Sequence, residues 1–213
     1  MSIIKLFIEY VLHLDKYLAL IVQQFGTLVY LLLFIIIFLE TGFVIAPFLP
    51  GDSLIFATGT LAAVNVLNIW ILFILLSVAA VLGDTVNYWI GSYFGAKAFK
   101  KYPKIFKKMY LDKTKRFFAK YGNKTIVLAR FVPIVRTFAP FFAGVGKMPY
   151  GKFIQYNIVG GIVWVGLFLF TGYFFGNIPF VKNHFSLVII FVIVVSFIPV
   201  IIEYVKYRHQ ESA

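Results

Sequence analysis

The chain has no cysteine, which excludes disulfides, thiolate nucleophiles and cysteine-ligated metals. Charge is scarce as well: Asp, Glu, Lys and Arg make up 13% of 213 residues, where a soluble domain carries about a quarter. Acid is the scarcest part, with 8 Asp and Glu against 20 Lys and Arg, a formal net charge of +12. The three histidines, His13, His184 and His209, are scattered near predicted membrane boundaries, so no conventional zinc site is expected, and no cofactor. A cleavable signal peptide is not expected either, because Lys5, Glu9, Asp15 and Lys16 interrupt the apolar character of the first 25 residues.

What the chain does have is apolar surface. It is 62% hydrophobic with a mean hydropathy of +0.93, and it holds 26 Phe. Apolar runs at 27–39, 66–82 and 185–202 approach the roughly 20 residues that a bilayer core of about 30 Å demands. This composition predicts an all-α integral membrane protein, with residues 1–213 forming a single membrane domain. At the N-terminus, Lys5, Glu9, His13 and Lys16 recur with helical spacing against Ile4, Phe7, Ile8, Val11 and Leu18. Residues 1–26 therefore read as an amphipathic helix lying in the interface. A spanning helix whose charges face a bundle fits the same pattern.

Charge placement sets the orientation. Lys97, Lys100, Lys101, Lys104, Lys107, Lys108, Lys113, Lys115, Arg116, Lys120 and Lys124 stand against Asp112 alone in the loop 97–124. By the positive-inside rule that loop is cytoplasmic and meets anionic lipid head groups. A juxtamembrane loop beside several spans needs no nucleic-acid partner. Segments 27–46, 66–96, 153–176 and 185–204 then serve as about four full transmembrane helices, with both termini cytoplasmic.

Two apolar but interrupted segments remain. Residues 47–65 contain Pro47, Pro50, Gly51 and Asp52, and residues 125–146 contain Arg130, Pro133, Arg136 and Pro140. Each must begin and end on one side, so both read as re-entrant helical hairpins with structural breaks at Pro50, Gly51, Pro133 and Pro140. Phe56-Ala-Thr-Gly59 beside Phe141-Phe-Ala-Gly144 is a weak internal likeness, and opposed hairpins are the pattern of an inverted repeat.

The polar residues inside these apolar segments are the candidate chemistry. Asp52 and Ser53 precede the short apolar segment 54–64, so Asp52 reads as an N-cap, as a cavity-facing carboxylate, or as both. Glu40 follows the run Leu31–Leu39, and a carboxylate there is a plausible proton carrier, or else an outer-interface group. Arg130 and Arg136 would point about 120° apart on an unbroken helix. A break at Pro133 lets both guanidinium groups converge on a phosphate-bearing head group beside a half-helix N-terminus; the bland reading is two ordinary cytoplasmic-side arginines. Asp84, Asn87, Tyr88, Gly91 and Gly95 share one helix face, and Gln155, Asn157, Gly160, Gly161, Trp164 and Gly166 place small and polar residues on another helix. These faces favour close packing and permit a homodimer.

Four ordered blocks carry a family resemblance: Glu40 followed by PFLPGDSLIFATG (47–59), GDTVNYWIGSYFG (83–95), ARFVPIVRTFAPFFAG (129–144) and MPYGKFIQYNIVGGIVW (148–164). Over roughly residues 25–180 the chain resembles the DedA family, also described as containing a SNARE-associated or VTT domain. The resemblance implies a core within 27–180 with two opposed re-entrant hairpins and a role in moving lipids between leaflets. Bacterial members are linked to recycling undecaprenyl phosphate and to dependence on the proton motive force. Carried over residue by residue, the family's essential acidic pair falls on Glu40 and Asp52 and its essential arginines on Arg130 and Arg136.

The leading expectation is a translocase in the bacterial cytoplasmic membrane that binds the phosphate of a polyprenyl lipid through Arg130 and Arg136. Glu40 and Asp52 would couple it to protons, with Ser53, Asp84, Asn87, Tyr88, Asn157 and Trp164 supporting. The alternatives are a proton or cation antiporter built on the same carboxylates, a translocase of another phospholipid, and a scaffold. An enzyme is not expected, because Ser53 has no nearby histidine to activate it.

Overall fold

A computed structural model describes residues 25–43, 51–94 and 108–183. Among these residues the chain is helical throughout, with no strand: α1 Thr27–Gly42, α2 Gly51–Ala63, α3 Ile69–Phe94, α4 Lys108–Tyr121, α5 Thr125–Ala129, α6 Pro133–Val145, α7 Tyr150–Gly176 and α8 Pro179–Asn183. The expected N-terminal helix 1–26 (up to residue 24), the basic stretch 97–107, Pro47, Pro50, Gly95 and the span 185–204 lie outside the described residues.

Helices α3 and α7, 26 and 27 residues long, are long and apolar enough to cross a membrane. Their exposed faces are greasy: Trp70, Ile74, Val78 and Leu82 form an outward stripe on α3, as do Ile158, Ile162 and Val163 on α7. Helix α1 repeats the pattern, with Leu28, Leu31, Leu32, Ile35 and Leu39 outward. Its buried stripe is Leu33, Ile37 and Glu40, at helical spacing. The charge is therefore carried on the inner face of a helix whose outer face suits lipid.

The described chain falls into two compact units. One contains 25–30, 51–72 and 168–183, and the other 31–43, 73–94 and 108–167. In the first, α2 packs on the C-terminal part of α7 through glycines: a Cβ on Gly59 would overlap the Leu169 carbonyl, and one on Gly172 would overlap the Phe56 carbonyl. The second unit repeats the device. A Cβ on Gly144 would overlap the Tyr88 carbonyl, and one on Gly91 the Phe141 carbonyl, so α6 packs on the C-terminal part of α3. The Phe-x-x-Gly likeness is thus a duplicated backbone contact that glycine alone permits.

Both 13-residue helices also end alike. Asn65 and Lys147 take positive φ values of 59° and 52°, and the next amides reach back five residues, Val66 to the Leu61 carbonyl and Met148 to the Ala143 carbonyl. These are helix-terminating turns closed by a left-handed residue.

Three expected breaks take their observed form here. Pro133 opens α6, and the break lies just before it: Arg130, Phe131 and Val132 each bond three residues back, and Val132 is extended at φ −121° and ψ 104°. The ring of Pro133 forces this, since proline disfavours helical geometry in the residue before it and suits the first helical position. Pro140 is a correction: it lies inside the continuous helix α6 and breaks nothing. Apolar helices tolerate an internal proline where neighbouring groups satisfy the freed carbonyl. At Gly51 the described part of α2 begins, and Asp52 lies in its first turn rather than in a cap before it. A carboxylate there still meets the positive end of the helix dipole.

Helix α4 is amphipathic. Phe117 and Phe118 pack with Val132 against Ala129, Val135 and Ala139, while Lys115, Arg116 and Lys120 point outward.

Candidate functional site

Arg130 and Arg136 flank the break before Pro133, and the break brings them together. Their guanidinium carbons lie 5.7 Å and 5.4 Å from the centroid of one ring, that of Trp164 on α7, itself 1% exposed. Each cation is attracted by the negative π-cloud of the indole, which offsets part of their mutual repulsion.

Each arginine has a carboxylate. Arg136 Nη2 donates to Glu40 Oε1. Arg130 Nη2 lies 2.6 Å from Asp84 Oδ2 and 2.6 Å from Asn157 Oδ1, with the Ala80 carbonyl at 3.5 Å. Asn157 is held in turn, its amide donating to the Val81 carbonyl at 3.0 Å. Gly160 and Gly161 give the Arg130 side chain its channel: a Cβ on Gly160 would stand 3.2 Å from Arg130 Cδ and Nε, and one on Gly161 would stand 3.6 Å from Nη2. Those glycines favour tight packing: Gly160 lies against the arginine stem and the backbone of Val127, and Gly161 against the Val81 side chain and the arginine head.

Between the pairs lies a cavity lined by Glu40, Thr41, Asp84, Arg130, Arg136, Thr137 and Trp164, all from the second unit. Its volume is about 20 Å³, room for about one water molecule with the side chains as they stand.

Other residues singled out in the sequence hold the frame. Asn87 Nδ2 donates to the Thr137 carbonyl at 3.0 Å and the Thr41 carbonyl at 3.3 Å, tying α3 to α6 and α1 beside the cavity. The Tyr88 hydroxyl donates to the Met148 carbonyl, and its ring stacks on Phe153 at 4.4 Å, which fixes the α6–α7 turn. Asp52 and Ser53 are half-buried in the first turn of α2, in the first unit. Thr41 and Thr137 were not singled out; each follows a charged residue, Glu40 and Arg136, and that adjacency is the signal that points to them. Among the described residues no three His, Cys, Asp or Glu gather to hold a metal.

A helical protein with lipid-suited outer faces and two buried ion pairs around a small cavity is an integral membrane protein with a polar site inside it. The chain belongs to the VTT-domain family, whose model matches residues 49–174, and with it to the DedA membrane proteins. It is 51% identical over 216 residues to Protein DedA of Escherichia coli K12, covering 100% of this chain and 98% of that one. It is 42% identical over 193 residues to an uncharacterized membrane protein of Mycobacterium tuberculosis H37Rv, covering 89% and 85%. It is 33% identical over 169 residues to the inner membrane protein YghB of Escherichia coli K12, covering 79% and 77%. No solved structure gives a significant match.

Proposed function

We propose that the protein is a lipid translocase that moves undecaprenyl phosphate across the bacterial cytoplasmic membrane for carrier-lipid recycling, driven by the proton motive force. The observation that carries this reading is the pair of guanidinium groups over one buried ring, beside carboxylates, in a cavity among apolar helices. Charges in the hydrocarbon region cost roughly 2.5–3.5 kcal/mol each even on lenient scales, and they mark ion and substrate pathways. Guanidinium forks match phosphate oxygens in planar, bidentate geometry. In this reading the phosphate enters where Glu40 meets Arg136, displacing side chains that now close the cavity, and the prenyl tail stays in lipid. Glu40, against Arg136, is the proton carrier in this reading, and Asp52 in the other unit is the second.

The reading includes four full spans, 27–46, 66–96, 153–176 and 185–204, with opposed re-entrant hairpins at 47–65 and 125–146. The loop 97–124 and both termini are cytoplasmic. It is supported by the duplicated Phe-x-x-Gly contact of the two 13-residue helices and by the outward lysines of α4. No catalytic step is part of it.

The test is movement of undecaprenyl phosphate between leaflets of vesicles holding the purified native protein. Movement is expected to be faster with an imposed pH gradient than with the gradient collapsed, and absent from protein-free vesicles. Proton-driven cation flux with no lipid movement would replace this reading with antiport, and movement of a common phospholipid alone would replace the substrate.

A further inference from the structure

The two arginines differ in how they are held. Arg130 is a tied residue: its side chain is 5% exposed, lies against Gly160 and Gly161, and meets Asp84, Asn157 and the Ala80 carbonyl. To reach a substrate it would have to leave Asp84 and the Ala80 carbonyl on α3 and Asn157 on α7 together. Arg136 is more open, with a side chain 14% exposed beside the cavity, and its carboxylate partner Glu40 sits on α1. Glu40 occupies the place on the guanidinium where a phosphate oxygen would bind.

We infer that the two arginines divide the work: a lipid phosphate takes the place of Glu40 on Arg136, while Arg130 stays with Asp84 and Asn157 throughout the cycle. This rests on the proposed reading of the site as a phosphate receptor and assigns its order of events. The ionisable groups around Glu40 in the cavity are Arg136 and Arg130, from the two sides of the Pro133 break, and Asp84 from α3. A carboxylate that loses its guanidinium in such surroundings takes a proton, so phosphate binding and proton binding are one exchange. Trp164 lies under both guanidinium groups and gives Arg136 a resting place while its partner changes. Because two anions compete for one cation, the site avoids holding either a bare carboxylate or a bare guanidinium at any stage.

The experiment compares binding of a polyprenyl monophosphate to the detergent-solubilised native protein, to Glu40→Gln and to Asp84→Asn, with proton uptake followed by a pH indicator. Native protein is expected to take up a proton on binding. Glu40→Gln, its competitor removed, is expected to bind about tenfold more tightly and to take up none. Asp84→Asn is expected to melt at lower temperature and, whatever its affinity, to take up a proton on binding, since the exchanging carboxylate is Glu40. Binding without proton uptake in the native protein would overturn the exchange, and so would equal affinity of native and Glu40→Gln. Loss of proton uptake in a folded Asp84→Asn protein would overturn the division of labour. If Asp84→Asn does not fold, native proton uptake still decides the exchange. Absence of binding in both native protein and Glu40→Gln would remove the phosphate reading itself, a separate failure.

Discussion

Arg136→Ala is expected to slow leaflet-to-leaflet movement of undecaprenyl phosphate by about 100-fold or more. Truncating one partner of a buried, hydrogen-bonded charge pair costs roughly 2–5 kcal/mol, and here the lost group is also the proposed receptor for the substrate. The fold should survive, because the Arg136 side chain is 14% exposed and lines the cavity, so the space it vacates opens to that cavity rather than into packed core. Arg136→Lys is expected to fall between the two, since an ammonium keeps the charge but lacks the planar fork. The comparison needs vesicles with matched amounts of protein and a melting curve for each variant. Movement at the native rate in a folded Arg136→Ala protein would rule out that residue as the receptor.

The second large effect is on stability. Arg130→Ala leaves Asp84 buried without its cation, and Asp84→Ala leaves Arg130 so, and breaking a buried pair from one side costs about 3–5 kcal/mol. Both variants are expected to melt well below the native protein in detergent. The double variant Asp84→Leu/Arg130→Met, which replaces both charges with apolar groups, is expected to recover most of the loss. Single variants that melt with the native protein would show that this pair does not hold α3 to the break at Pro133.

Much of this arrangement is legible in the chain because its causes are local. Pro133 dictates the residue before it, so a break there can be read directly, and the break is what undoes the 120° divergence of Arg130 and Arg136. Glu40 sits three residues beyond Ile37 on the buried stripe of α1, yet the sequence shows it only as a charge at the end of an apolar run, because both faces of that helix are apolar. Pairing is another matter. Asp84 lies 46 residues from Arg130, Asn157 lies 27, and Glu40 lies 96 from Arg136, and no spacing rule links such distances. Asp84 and Asn157 show in the sequence as polar residues on apolar faces, yet their convergence on one guanidinium nitrogen depends on how α3 and α7 pack around the break. Pro140 misleads for the opposite reason: the local rule says break, and the neighbours of an apolar helix absorb the missing amide. The glycines fall between these cases. Gly160 and Gly161 announce close packing, while their particular neighbour, the stem of Arg130, belongs to the tertiary structure.

The central claim is that the cavity between Glu40 and Arg136 receives the phosphate of the lipid. The most direct measurement is photo-crosslinking of the native protein in vesicles with a polyprenyl phosphate carrying a photoreactive group next to its head group, followed by mapping of the labelled peptides. The account predicts labels on the peptides that contain Thr41, Thr137 and Trp164, lost in Arg136→Ala and displaced by excess unlabelled undecaprenyl phosphate. Labels confined to the basic helix α4, unchanged in Arg136→Ala, would contradict it.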